Sequence, residues 1–228
     1  MGHEISSSAQ ESQFPIHSFL WMVLLALVPL MPACAGRRSP LFVPAAREDA
    51  DRAIASWRDS VARADSRGPA RLLYEARVSQ GLFRMSGTLA VREGQRTVDA
   101  TLAGPFGDPV ARYGEGALRG NGIRPIAIEE EELRWLLAGV WKGSTDPEVA
   151  GVGGQDALLR WSGGQQVEGV IDVPRARFKS LRIKRSEGTI AATYSGESST
   201  WPRSIELEDL KTGNTLRLTL VAAEPVNE

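Results

Sequence analysis

Apart from Cys34 the chain has no cysteine, and its two histidines, His3 and His17, both precede that residue. A lone cysteine forbids an internal disulfide. From Cys34 onwards there is no imidazole and no second thiol, which excludes His-dependent triads, cysteine nucleophiles and nearly every zinc or copper site. No metal and no dissociable cofactor is expected, and any covalent chemistry would have to use carboxylate, Lys, Ser/Thr or Tyr groups. Charge of one sign is also missing: 27 basic residues face 28 acidic ones. That balance argues against nucleic acid as a partner. There is no apolar run of the roughly 20 residues that a spanning helix needs.

A shorter apolar run is present. Phe19 to Leu30 is continuous and has the length of a secretory signal's apolar core. Met31-Pro-Ala-Cys34 follows it, and a small residue directly before the only cysteine resembles the lipobox of bacterial lipoproteins. The resemblance implies that residues 1–33 are a signal peptide and that Cys34 carries diacylglycerol and an N-acyl group. The other reading of Cys34 is an ordinary thiol behind a conventional signal. A lone unmodified thiol is a liability in an oxidising compartment, so lipidation accounts for both its position and its solitude. Residues 34–46, with Arg37, Arg38, Pro40 and Pro44, read as a flexible tether, and 47–228 as one domain.

Within that domain the period of the apolar residues changes once. Ala50, Ile54, Trp57 and Val61 recur at helical spacing between Arg47 and Ala64, and Gly68-Pro69 ends the element. Beyond it the period is two. Phe83, Met85, Leu89 and Val91 alternate with polar or small residues, as do Val98, Ala100 and Leu102. The pattern returns at Val167 to Val173, Leu181/Ile183, Ile190 to Tyr194, Ile205/Leu207 and Leu216 to Leu220, with turns at Glu187-Gly188 and Gly213-Asn214. Between the two strand sets, Glu129 to Trp141 carries Leu133, Leu136, Leu137 and Val140 as a second helical stripe. Asp146 to Gly154, rich in Gly and Pro, reads as a loop. The expected fold is mainly β (α+β): about ten strands in a curved antiparallel sheet, a half-open barrel with two helices across it.

Several motifs have a plain reading and a sharper one. Glu129 to Glu132 complements the positive end of a helix, which outweighs a catalytic carboxylate pair. The basic stretch Arg175 to Arg185 is a solvated strand face, with anionic headgroup contact as the weaker reading. Gly151 to Gly154 and Gly163-Gly164 lack the Lys-Ser/Thr that a phosphate loop carries, and read as turns. The five tryptophans after Cys34 read as core fillers. Leu102 to Asp108 makes a tight turn with Phe106 at its tip, either folded back on the core or presented to a membrane.

Gly104-Pro-Phe-Gly107, Arg124-Pro-Ile-Ala-Ile128, Leu133-Arg-Trp-Leu-Leu-Ala-Gly139, Trp201-Pro-Arg-Ser-Ile-Glu-Leu207 and Thr215 to Leu220, in that order, resemble motifs of the LolB family from about Arg71 onward. LolB proteins are outer-membrane lipoproteins that receive other lipoproteins from the periplasmic carrier LolA. The resemblance implies that Pro105, Phe106 and Gly107 form the membrane-insertion loop, Phe106 taking the place of the family's leucine. Ala117 to Gly122 leaves no room for a helix that the family has before its Pro-Ile-Pro-Leu segment, so a reduced lid is expected.

The function expected is then a non-enzymatic one: a lipid-anchored monomer on the periplasmic face of the outer membrane. It would take lipoprotein acyl chains from a LolA-like carrier into an apolar cavity. The expected lining is Phe83, Met85, Leu89, Val98, Leu102, Leu136, Leu137, Ile171 and Ile183. Two rivals stand beside it. One is an interaction lipoprotein whose core is filled by its own side chains, and the other an enzyme using Glu129 to Glu132 or Asp156, which have no evident nucleophile or metal ligand beside them.

Overall fold

A computed structural model describes residues 41–94, 97–120, 123–163, 165–196 and 200–226. The expected signal peptide over residues 1–33 and Cys34 lie outside the described residues. Among the described residues two helices, α1 (Arg47–Asp65) and α2 (Glu130–Ala138), accompany thirteen strands. These are β1 (Ala70–Gln80), β2 (Phe83–Glu93), β3 (Val98–Ala103), β4 (Pro109–Gly114), β5 (Ala117–Gly120), β6 (Ile123–Ala127), β7 (Glu148–Gly153), β8 (Asp156–Ser162), β9 (Gln166–Asp172), β10 (Arg177–Lys184), β11 (Thr189–Ser195), β12 (Ser204–Asp209) and β13 (Asn214–Pro225).

The strands form one antiparallel sheet in the order β6-β5-β4-β3-β2-β1-β13-β12-β11-β10-β9-β8-β7. Two meanders are thus joined where the first strand pairs with the last, from Ala70 opposite Pro225 to Ser79 opposite Thr215. The ends, β6 and β7, do not pair with each other, so the sheet curls without closing. This is the expected mainly β class, a half-open barrel with two helices. It has thirteen strands where about ten are expected; the alternation picks out seven of them, and β1, β4 to β6, β7 and β8 are the six it does not mark.

Alternation decides which side of each strand is buried. Leu72, Tyr74, Ala76 and Val78 of β1 face the interior and Arg71, Glu75 and Arg77 face solvent. The second half of β2, all of β3 and strands β8 to β13 repeat the pattern, and their inner side chains merge with both helices into one core. All five tryptophans are buried in it. Trp57 donates to the carbonyl of Trp141 at 2.8 Å and meets Trp161 edge-on, which pins α1 to the chain segment after α2.

Three local expectations need correction. The buried face of α1 is Ala53, Ser56, Trp57 and Ser60, while Ala50, Ile54 and Val61 are half-buried beside it. Small side chains let the helix sit close to the sheet. Ser56 and Ser60 satisfy their hydroxyls on the carbonyls of Val173 and Trp57, so the polar positions cost little. The expected loop at 146–154 contains the edge strand β7. The tether expected over 34–46 is not free chain at its described end: Val43 and Val152 exchange backbone hydrogen bonds of 2.9 and 2.8 Å. Glycine makes this possible, because a Cβ at Gly151 would lie 3.0 Å from the Val43 carbonyl oxygen and one at Gly153 2.9 Å from that of Leu41. A strand edge that would otherwise offer unpaired groups is partly covered.

Candidate functional site

The Gly104 to Asp108 turn is closed by two backbone bonds, Gly104 N–H to Asp108 at 2.9 Å and Gly107 N–H to Gly104 at 3.0 Å. Gly107 has a φ of +87°, open to glycine at little cost. Pro105, Phe106 and Gly107 therefore form a stiff tip, and Phe106 is 92% exposed. At its base β3 crosses Gly87 so closely that a Cβ there would fall 2.0 Å from the Ala103 oxygen. A side chain at position 87 would lift the turn off the sheet.

The register reveals a second apolar tip that sequence reasoning passed over. Thr88 of β2 is opposite Ala103, where β3 ends, yet β2 continues back to Phe83 opposite Gln80. The β1–β2 hairpin consequently runs on for five residues past the end of β3, about 16 Å at 3.3 Å per residue. Leu82 at its tip is fully exposed and Phe83 is 41% exposed. The hairpin between β12 and β13, at the same end of β1, adds the half-exposed Leu210. The signal was available: Gly81-Leu82-Phe83 sets two large apolar residues at a turn, where buried area cannot justify them.

The nine residues expected to line a cavity divide differently. Leu89, Val98, Leu102, Leu136, Leu137, Ile171 and Ile183 are buried in one core, and Met85 is half-buried against it. Phe83 lies on the overhanging hairpin, outside the interior, because β3 has ended before β2 reaches it. None of the nine lines the clefts that flank α2. One cleft of about 640 Å³ is walled by Glu129 to Glu132, Trp135, Trp141, Trp161 and Val167. Another, of about 260 Å³, lies between the end of α1, the end of α2, β10 and β11. Among the described residues no group of three His, Cys, Asp or Glu is arranged to hold a metal.

What closes the interior is α2, whose Leu133, Trp135, Leu136 and Leu137 are buried. Polar groups latch it. Glu129 and Glu132 form a capping box, with the Glu129 N–H donating to Glu132 at 2.9 Å. Glu130 accepts the Val98 N–H at 2.6 Å. Buried Glu132 also forms an ion pair with Arg185, whose guanidinium donates to the Ala127 carbonyl at 2.6 Å. The acidic run thus serves the start of this helix, and Arg185 departs from the solvated role expected for the basic stretch.

A second, looser pair joins α2 to β2: Arg134 Nε lies 3.9 Å from Glu93. Burial raises the Glu93 carboxyl above its ordinary pKa, and Arg134 and Arg67 offset part of that rise. A carboxyl raised on folding is protonated more readily in the folded state, so its contribution falls as pH rises from the unfolded value through the folded one. Thermal melts from pH 4 to 7 should accordingly show Glu93→Gln gaining stability relative to wild type as pH increases. A constant difference across that range would contradict this burial effect.

No protein-family model and no curated protein sequence matches the chain. Solved structures do. A LolA superfamily protein from Nitrosomonas europaea superposes with a TM-score of 0.51 at 12% identity, over 75% of this chain and 94% of its own. The chain has the LolA-type fold. A DUF1329 family protein from Desulfovibrio piger aligns over 75% of this chain and 92% of its own at 8% identity, with a TM-score of 0.49. In this LolA-type fold the exposed tips at Leu82 and Phe106 and the latched helix α2 are the features that ordinary core packing leaves unexplained. No helix of the described residues is long and apolar enough to cross a membrane.

Proposed function

We propose that this protein is a divergent LolB-like lipoprotein of the outer membrane, anchored through Cys34, that binds lipoprotein acyl chains beneath α2 and helps insert them into the bilayer. It would receive them from a LolA-like carrier, act as a monomer, and catalyse no covalent step. The observation that carries this reading is the apolar end formed by Leu82, Phe83 and Phe106, large side chains held out on stiff hairpins where only a membrane or another apolar surface can bury them.

In this reading α2 occupies the place of the cargo. Displacing it exposes four large side chains, at about 1.5–3 kcal/mol each. Some ten acyl methylenes entering in their place contribute about 8 kcal/mol. The two are of the same size, so cargo and helix compete on near-equal terms and a bilayer can draw the cargo onward. A second reading, an envelope interaction protein without lipid cargo, is favoured by the interior being filled by its own side chains. Mass spectrometry on Cys34→Ala protein purified from a periplasm distinguishes them. Co-purifying lipoproteins or acyl lipids are expected, and their absence would leave the interaction reading standing.

A further inference from the structure

The smaller cleft beside α2 has a chemistry that the acyl-binding reading does not use. Arg63 and Arg67 reach it from the end of α1, and Arg175, Arg177 and Lys179 from the start of β10 and the turn before it. Among the described residues its single acidic wall residue is Asp172. Lys179 is neutralised by Asp156 at 2.6 Å, and Arg175 lies 3.4 Å from Asp172. The other three guanidiniums form no salt bridge among the described residues. Arg63 donates to the carbonyls of Arg175 and Ala176. Arg67 donates to the Ala138 carbonyl at 3.1 Å and lies 4.6 Å above the Trp201 ring. Arg177, half-buried at the start of β10, has no polar partner among the described residues. Phe178, Tyr194 and Trp201 supply flat apolar walls.

Holding several guanidiniums together with few carboxylates is unfavourable. Burial is the largest cause that lowers the Arg67 pKa to about 10; the nearby Glu93 carboxylate opposes the fall, and the charges of Arg63 and Arg177 add to it. Packing does not require this arrangement, since the outward Arg177 could be any polar residue. A bound anion would relieve it. Three convergent guanidiniums suit a phosphate, whose several oxygens take more forked hydrogen bonds than a carboxylate's two. The volume of about 260 Å³ fits a headgroup rather than an acyl chain or a folded partner.

We propose that the cleft between the ends of α1 and α2 binds a phosphate group through Arg63, Arg67 and Arg177, against the aromatic walls of Tyr194 and Trp201. The phosphate could belong to a free monoester or to a phospholipid headgroup. This site is independent of the acyl-binding reading, and would stand if α2 never opened.

Calorimetric titration of the full chain in a phosphate-free neutral detergent tests it, with sn-glycerol 3-phosphate, short-chain phosphatidic acid and acetate as probes. Saturable binding of both phosphates, but not acetate, is expected. Because Arg177 has no partner to lose, Arg177→Gln and Arg177→Glu should keep the wild-type melting temperature while weakening binding roughly 10- to 100-fold, the worth of one charged hydrogen bond. Tighter binding of the lipid than of the monoester would identify a headgroup as the source, and equal binding a free monoester. No saturable binding of either phosphate, equal binding of acetate, or full affinity in both Arg177 variants would overturn the proposal.

Discussion

Replacing Arg185 with methionine is expected to destabilise the folded protein by about 3–5 kcal/mol, because it leaves the carboxylate of Glu132 buried without its partner. For a domain of this size that corresponds to a fall of roughly 6–20 °C in melting temperature. Both side chains are almost fully enclosed, so solvent cannot compensate for the loss. The paired change Glu132→Met with Arg185→Met should recover most of it, since apolar groups of similar volume replace a buried ion pair at little cost. Urea unfolding of the three variants gives the comparison, and an unchanged midpoint in Arg185→Met would show that the pair does not hold the helix. The same substitution should speed amide exchange in residues 130–138 more than in β1. Loosening confined to α2 is what a lid requires, whereas a purely structural strut would weaken the whole sheet together.

The second large effect is expected at the apolar end. Leu82→Asp combined with Phe106→Asp removes two side chains that would each contribute about 1.5–3 kcal/mol if buried in hydrocarbon. Partition of the Cys34→Ala protein onto vesicles should fall at least a hundredfold. Stability should not change, because neither side chain packs on the core. Single variants separate the tips: the overhang predicts a larger loss for Leu82→Asp than for Phe106→Asp. Vesicle flotation in which the double variant partitions like wild type would remove the membrane role of both hairpins.

Much of the fold was legible because half-buried strands write their orientation into alternate residues. The strands from Val98 and from Leu181 to Leu220 appeared where their pattern placed them, and α1 and α2 within a few residues. Regions misread share a physical cause. In α1 the apolar stripe marks Trp57, but the rest of the buried face is Ala53, Ser56 and Ser60, which such a stripe does not mark. In β7 two glycines that look like loop residues are there to admit the backbone of Leu41 to Val43. The Phe106 tip was visible as a Gly-Pro-x-Gly turn; at Leu82 the sequence offers two large apolar residues beside a glycine, and the early end of β3 adds that this hairpin stands clear of its neighbours. Convergence of Arg63, Arg67 and Arg177 was likewise beyond the sequence, because it joins a helix end to a strand more than 100 residues later.

The backbone bonds between Val43 and Val152 also set the length of any mooring. With Leu41 to Val43 held along β7, seven peptide steps separate Cys34 from Leu41, and in any conformation they reach at most about 25 Å. That is shorter than β1 itself, whose 11 residues extend about 35 Å. If Cys34 carries the proposed lipid, the length of those seven steps is the upper limit on how far Leu41 can stand from the bilayer. Cargo carried by a second protein would have to be brought to the membrane surface, since the anchored domain could not rise to meet it.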